Sequence, residues 1–201
     1  MRDLQQALEH ISVIRTQLAR GTQFRGYGPA STAATGLLAL AVALGQSWWF
    51  RDHKADPETF VMAWVATAMI GATVACWNAV VRSRLLHGGL AREMVQRASE
   101  QFTPAVVAGL LLTVILVRGS PGELWMLPGL WAIAFSLGIF ASCHFLPRPV
   151  FAVALWYLIA GLTCLAWQAG THQMSPWSMG IPFGLGQLAM AAILQHGYDQ
   201  S

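Results

Sequence analysis

The chain reads as an all-α integral membrane protein: a six-helix bundle with an N-terminal amphipathic helix and a second, short one between membrane helices 2 and 3. Three observations predict this. Residues 149–198 form a run of 50 positions without one Asp, Glu, Lys or Arg, which the surface of a water-soluble domain does not tolerate. Four further stretches, 26–50, 59–81, 101–117 and 124–147, are equally free of charge. The whole chain of 201 residues is 55% hydrophobic and 10% charged. Crossing a hydrocarbon core of about 30 Å takes roughly 20 apolar residues at about 1.5 Å each, so the five stretches together hold enough for six crossings.

The first 25 residues are too polar to span. Leu4, Ala7, Ile11, Ile14 and Leu18 recur at alternating spacings of three and four, with Leu8 beside them. That is the apolar seam of an amphipathic helix, and it lacks the apolar stretch of a secretory signal. Gly21, Gly26, Gly28 and Pro29 break the chain, and the transmembrane domain, 26–198, follows. Its first span is expected at 31–49 and its second at 60–81. The polar segment after that is interrupted by Gly88 and Gly89; Leu90, Met94, Ala98 and Phe102 then recur every four residues. A short helix over 90–102 is predicted in this loop. The remaining spans are expected at 104–117, 127–145, 150–167 and 181–195. Pro149 and Pro182 fit first-turn positions, and Pro128 lies near a helix start. Residues 170–176 provide the turn that splits the 50-residue run.

Orientation follows from charge. Nine of the twelve Lys and Arg fall on one side of this topology: Arg2, Arg15, Arg20, Arg25, Arg82, Arg84, Arg92, Arg97 and Arg148. The other side holds Arg51, Lys54 and Arg118, offset by Asp52, Asp56, Glu58 and Glu123. The positive-inside rule then puts both termini in the cytoplasm. Trp48, Trp49, Trp64, Trp125, Trp131, Trp167 and Trp177 all fall near the opposite, outer ends. The simplest reading is an anchoring belt; the sharper one is an aromatic groove for a lipid tail or a flat ligand.

The chemistry of the chain is sparse. No charged residue lies inside any predicted span, which removes the usual proton relay and ion-coupling carboxylate. His10, His87, His144, His196 and Cys143 map to the cytoplasmic face, but no H-x-x-x-H or C-x-x-C spacing joins them, so no metal is expected. His144 and His196 are the one conceivable axial pair for a haem. Cys76, Cys143 and Cys164 sit in or at the ends of apolar stretches, where they act as small hydrophobes. Polar residues that enter or flank the spans are Gln46, Asn78, Thr113, Ser136, Thr163, Gln168, Gln187 and Gln195, read as hydrogen-bonding glue between helices. Two ridges of small residues, Ala63–Thr67–Gly71–Ala75 and Gly180–Gly184, allow close helix approach, to one another or to a partner.

Several phrases of the chain, FRGYGP (24–29), ELWMLPGLW (123–131), FSLGIFASCHFLPRP (135–149) and SPWSMGIPFG (175–184), resemble those of an uncharacterised family of short multi-pass bacterial inner-membrane proteins. The resemblance implies a bacterial inner-membrane setting; it carries no activity, cofactor or site.

The function expected is that of a non-enzymatic accessory, scaffold or regulatory subunit of a membrane complex, without nucleic acid and without cofactor. Its partners are membrane lipids and a protein partner or a second copy. Leu4, Leu8, Ile11, Ile14 and Leu18 would supply the docking face, with Arg82, Arg84, Arg92 and Arg97 holding headgroups or an acidic partner. The alternative is a small permease or binding protein for an uncharged or lipid-like compound. Trp125 and Trp131 would admit the compound, and Ser136, Asn78 and Gln187 would contact it. A cofactor-bearing electron-transfer subunit is the third option.

Overall fold

The computed structural model describes residues 28–53, 56–85, 89–143 and 148–199, and among them every regular element is helical. We number the helices α1 (Pro29–Asp52), α2 (Pro57–Leu85), α3 (Gly89–Gly119), α4 (Leu127–Ser142), α5 (Val150–Gln168) and α6 (Trp177–Asp199); a 3-10 turn, Pro121–Met126, leads into α4. All six spans are present as helices long and apolar enough to cross a bilayer, which marks a membrane protein.

Local chemistry starts and stops these helices. Pro29 opens α1, where a missing N–H costs nothing, and the Ser31 and Thr32 hydroxyls donate to the Gly28 carbonyl at 2.8 and 3.1 Å. Asp56 caps α2: its Oδ2 accepts from the Thr59 amide at 2.9 Å and from the Thr59 hydroxyl at 2.6 Å. After α5, the His172 amide donates to the Gln168 carbonyl at 2.7 Å, and His172 itself turns the chain with a φ of 52°.

Two expectations are corrected. The loop helix over 90–102 and the span over 104–117 are one continuous α3 of 31 residues, with Pro104 inside it. Its apolar span therefore reaches back to Gln96 and has its full length, Gln96–Gly119, bringing Arg97 and Glu100 into its first turns, where Gln96 Nε2 donates to Glu100 Oε1 at 2.9 Å. Pro182 likewise lies inside α6, which starts four residues earlier than the predicted 181. A proline at 182 leaves the carbonyl of Ser178 without its helical donor, and the Cys164 thiol of α5 approaches that oxygen at 3.5 Å.

Packing is uneven. Around the bundle the neighbours run α2, α1, α6, α5, α4, α3. Helices α1 and α6 form one tight antiparallel pair. A methyl at Gly36 would meet the Gly184 carbonyl at 2.9 Å, one at Gly184 would meet Leu40 at 2.5 Å, and one at Gly180 would collide with Ala43. The second tight pair is α4 with α5. There a methyl on Gly129 or on Gly161 would come within 2.8 Å of the other's carbonyl, and Ser136 donates to the Ala154 carbonyl at 2.7 Å. Such backbone-to-backbone approach is the main source of attraction between helices in lipid, where burying apolar surface gains nothing. Helix α3 lies against α4 through Phe102 on Gly138 and the Trp131–Thr113 bond. Helix α2 touches α1 loosely, with 3.7 Å between a methyl placed on Gly71 and Thr35.

Candidate functional site

The antiparallel order brings the C-termini of α1, α3 and α5 and the N-termini of α2, α4 and α6 to one end of the bundle, and seven tryptophans gather there. They divide into two populations. Trp48, Trp49, Trp167 and Trp177 are exposed, Trp167 by 79%, as an interfacial belt requires. Trp64 and Trp125 are instead 2% and 8% exposed, and Trp131 is half-buried. The Trp125 indole donates to Glu123 Oε2 at 2.9 Å and stands edge-on to His172 at 4.8 Å. Trp131 donates to the Thr113 hydroxyl at 2.8 Å, and that hydroxyl donates to the Gly109 carbonyl at 2.7 Å.

Trp64 belongs to an apolar cluster with Ala39, Ala43, Phe60, Val61, Leu124, Leu127 and Met179. Among the described residues its indole nitrogen finds no hydrogen-bond partner, although it is shut off from solvent. The same holds for both amide atoms of Gln46 and both of Gln168. Buried polar groups are normally paired, and each that is not costs about 1–3 kcal/mol.

Deeper in the bundle the interior is filled by rings. Phe135 lies 5.1 Å from Phe102, 4.8 Å from Tyr157 and 5.4 Å from Phe183, and Tyr157 and Phe183 are 5.2 Å apart. Tyr157 is 1% exposed, its ring pressed on Gly186, and its hydroxyl also lacks a partner among the described residues.

The five residues expected to contact a ligand do not converge. Trp125 lies at the tryptophan end and Trp131 on the α3/α4 seam, both with donors engaged. Ser136 is wholly buried on the α4/α5 seam. Asn78 donates to the Val74 carbonyl of its own helix at 2.9 Å, far along α2. Gln187 stands on the α1/α6 seam beside Gly36. Of the docking set, Arg97 is exposed on α3. Leu4, Leu8, Ile11, Ile14 and Leu18 lie outside the described residues, as do the side chains of Arg82, Arg84 and Arg92.

Of the histidines, His53 stacks on Trp49 at 4.3 Å and His196 places Nδ1 3.1 Å from the Ala192 carbonyl; His10, His87 and His144 lie outside the described residues. Among the described residues no three His, Cys, Asp or Glu side chains come together as metal ligands would. Asp56, at the membrane-surface end of α2, has its carboxyl held below the usual carboxylate range by the Thr59 hydroxyl and amide.

Sequence reading missed Tyr157 and the inward turn of Trp64. A lone tyrosine within an apolar span was the available signal for the first. For the second there was none, because position along a helix gives depth but not the direction a side chain faces. No family model matches this chain, and comparison with curated proteins and with solved structures returns no match in either.

Proposed function

We propose that this protein is a non-enzymatic subunit of a bacterial inner-membrane assembly, with both termini cytoplasmic, that docks a partner's membrane helix or a second copy along α2 and α3. The observation that carries the reading is the contrast in packing. Between Ser99 and Gly119 the one buried residue of α3 is Gly109, and from Val65 to Asn78 no residue of α2 is buried. Yet α2 carries the small-residue ridge Ala63, Thr67, Gly71 and Ala75, half-buried throughout, a surface suited to close helix approach. The cytoplasmic docking face of Leu4, Leu8, Ile11, Ile14 and Leu18, with Arg82, Arg84, Arg92 and Arg97, would add a contact at the membrane surface. A permease is the weaker reading, because the rings of Phe102, Phe135, Tyr157 and Phe183 occupy the middle of the bundle.

The test is purification in mild detergent of the intact chain, of a version lacking residues 1–20, and of Gly71→Leu. The reading expects the intact protein to migrate as an assembly larger than one chain, and each variant to lose partner or copy. A lone monomer in all three preparations would sink it.

A further inference from the structure

We propose that the apolar seam of residues 4–18 packs, within its own chain, against the first turns of α3, covering the end of the bundle opposite the tryptophans. The proposal concerns a single chain and stands whether or not a partner docks on the membrane faces of α2 and α3.

The receiving face is set by where the neighbouring helices stop. The Ser142 hydroxyl donates to the Ala98 carbonyl at 3.2 Å, so the last residue of α4 is level with Ala98 of α3. Helix α5 starts at the same end of α4, with Phe151 5.1 Å from Phe140. Residues 89–97 of α3 therefore run past the end of α4, by roughly 13 Å at about 1.5 Å per residue. Ala98 is 5% exposed, and Phe102 rests on Gly138 and Phe135, which fixes the face that α3 turns toward α4. Ala91, Met94 and Val95 precede Ala98 by seven, four and three residues and share that face, with Leu90 at its edge. Arg92, Glu93, Gln96 and Arg97 fall elsewhere around the helix. The packing face of α3 thus continues, still apolar, beyond the point where α4 has ended.

Lipid is a poor cover for it. A separate loop helix could lie flat with its apolar side in the bilayer, but this stretch is continuous with the span and keeps the span's direction. Past the hydrocarbon, unlike within it, burying apolar surface is favourable. The matching surface is in the same chain. Leu4, Ala7, Leu8, Ile11, Ile14 and Leu18 repeat the three-and-four spacing of Ala91, Met94, Val95 and Ala98, as two helices that interlock along one seam require. The seam leads to Gly28, where α1 starts at this same end. Helix α2 borders both α1 and α3, so their axes lie within about 20 Å of each other. Residues 19–27 can reach about 30 Å when extended, which spans that distance. A partner gains the seam only by drawing it off α3.

The experiment uses the full chain in lipid vesicles, with Cys76, Cys143 and Cys164 replaced by Ala. It carries Ile11→Cys together with either Met94→Cys or Glu93→Cys, under mild oxidation. The Met94→Cys pair should form a disulfide within one chain about tenfold faster than the Glu93→Cys pair, because the bond tolerates little separation. A second measurement compares amide exchange in the wild-type chain and in a version lacking residues 1–20. Truncation should speed exchange over residues 89–97 several-fold and leave α5 unchanged. Equal rates for the two cysteine pairs, or unaltered exchange over 89–97 after truncation, would overturn the proposal. So would a disulfide formed only between chains, which would give the seam to a second copy.

Discussion

Helices α6 and α2 carry the same sequence signal, small residues spaced by four, and use it in opposite ways. Gly180 and Gly184 of α6 are pressed so closely on α1 that no methyl fits, whereas Gly71 of α2 has only ordinary contact 3.7 Å away. A small-residue ridge therefore states that a helix can be approached closely, not by what. On α6 the approach is made within the chain; on α2 it is still open to lipid or to a partner.

The sharpest way to break this contrast is to add bulk on each side of it. Gly129→Leu or Gly184→Leu, where backbone or a packed leucine must yield, should cost about 3 kcal/mol, read as a large fall in thermal midpoint in detergent. By the same assay Gly71→Leu should change stability of the isolated chain by less than about 0.5 kcal/mol. Equal losses at both places would mean that α2 is as firmly docked as α6. Smaller effects grade the remaining seams. Ser136→Ala and Trp131→Phe each remove one interhelical hydrogen bond and should cost about 0.6 kcal/mol apiece; a much larger loss at Trp131 would place α3 within the tight core.

The smallest expected effect is at the cap of α2. Because the Asp56 carboxyl is depressed in the folded chain by its Thr59 bonds, its contribution is complete above the ordinary carboxylate pKa of about 3.9 and fades as pH falls through the lower, folded value. Asp56→Ala should therefore speed amide exchange at Thr59 and Phe60 several-fold at neutral pH, and make no difference once the medium is acidic enough to protonate the native carboxyl.

The spans were legible in the sequence because charge is so costly in hydrocarbon that its absence is a positive mark. Their ends were less so. Pro104 reads as a helix start, but a proline inside a helix frees one carbonyl only, here that of Glu100 near the membrane surface, and α3 runs through it. Depth was readable for all seven tryptophans that gather at one end, azimuth for none. Trp64 and Trp167 fall at the same kind of boundary, yet one is 2% and the other 79% exposed, because neighbours distant in the chain decide which way each faces. For the same reason Gln46 and Gln168 were visible as polar residues flanking spans, while their lack of partners among the described residues required the packed helices.

The pairing of α1 with α6 also orders events in time. About 125 residues separate the end of α1 from the start of α6, and at roughly 5–20 residues per second their synthesis takes on the order of 6–25 s. Throughout that interval the Gly36 face of α1 lacks the α6 face it packs on. The nascent chain must be kept from pairing that face wrongly, because its partner within the chain is α6, and a ribosome that stops before residue 177 leaves the Gly36 face unclaimed.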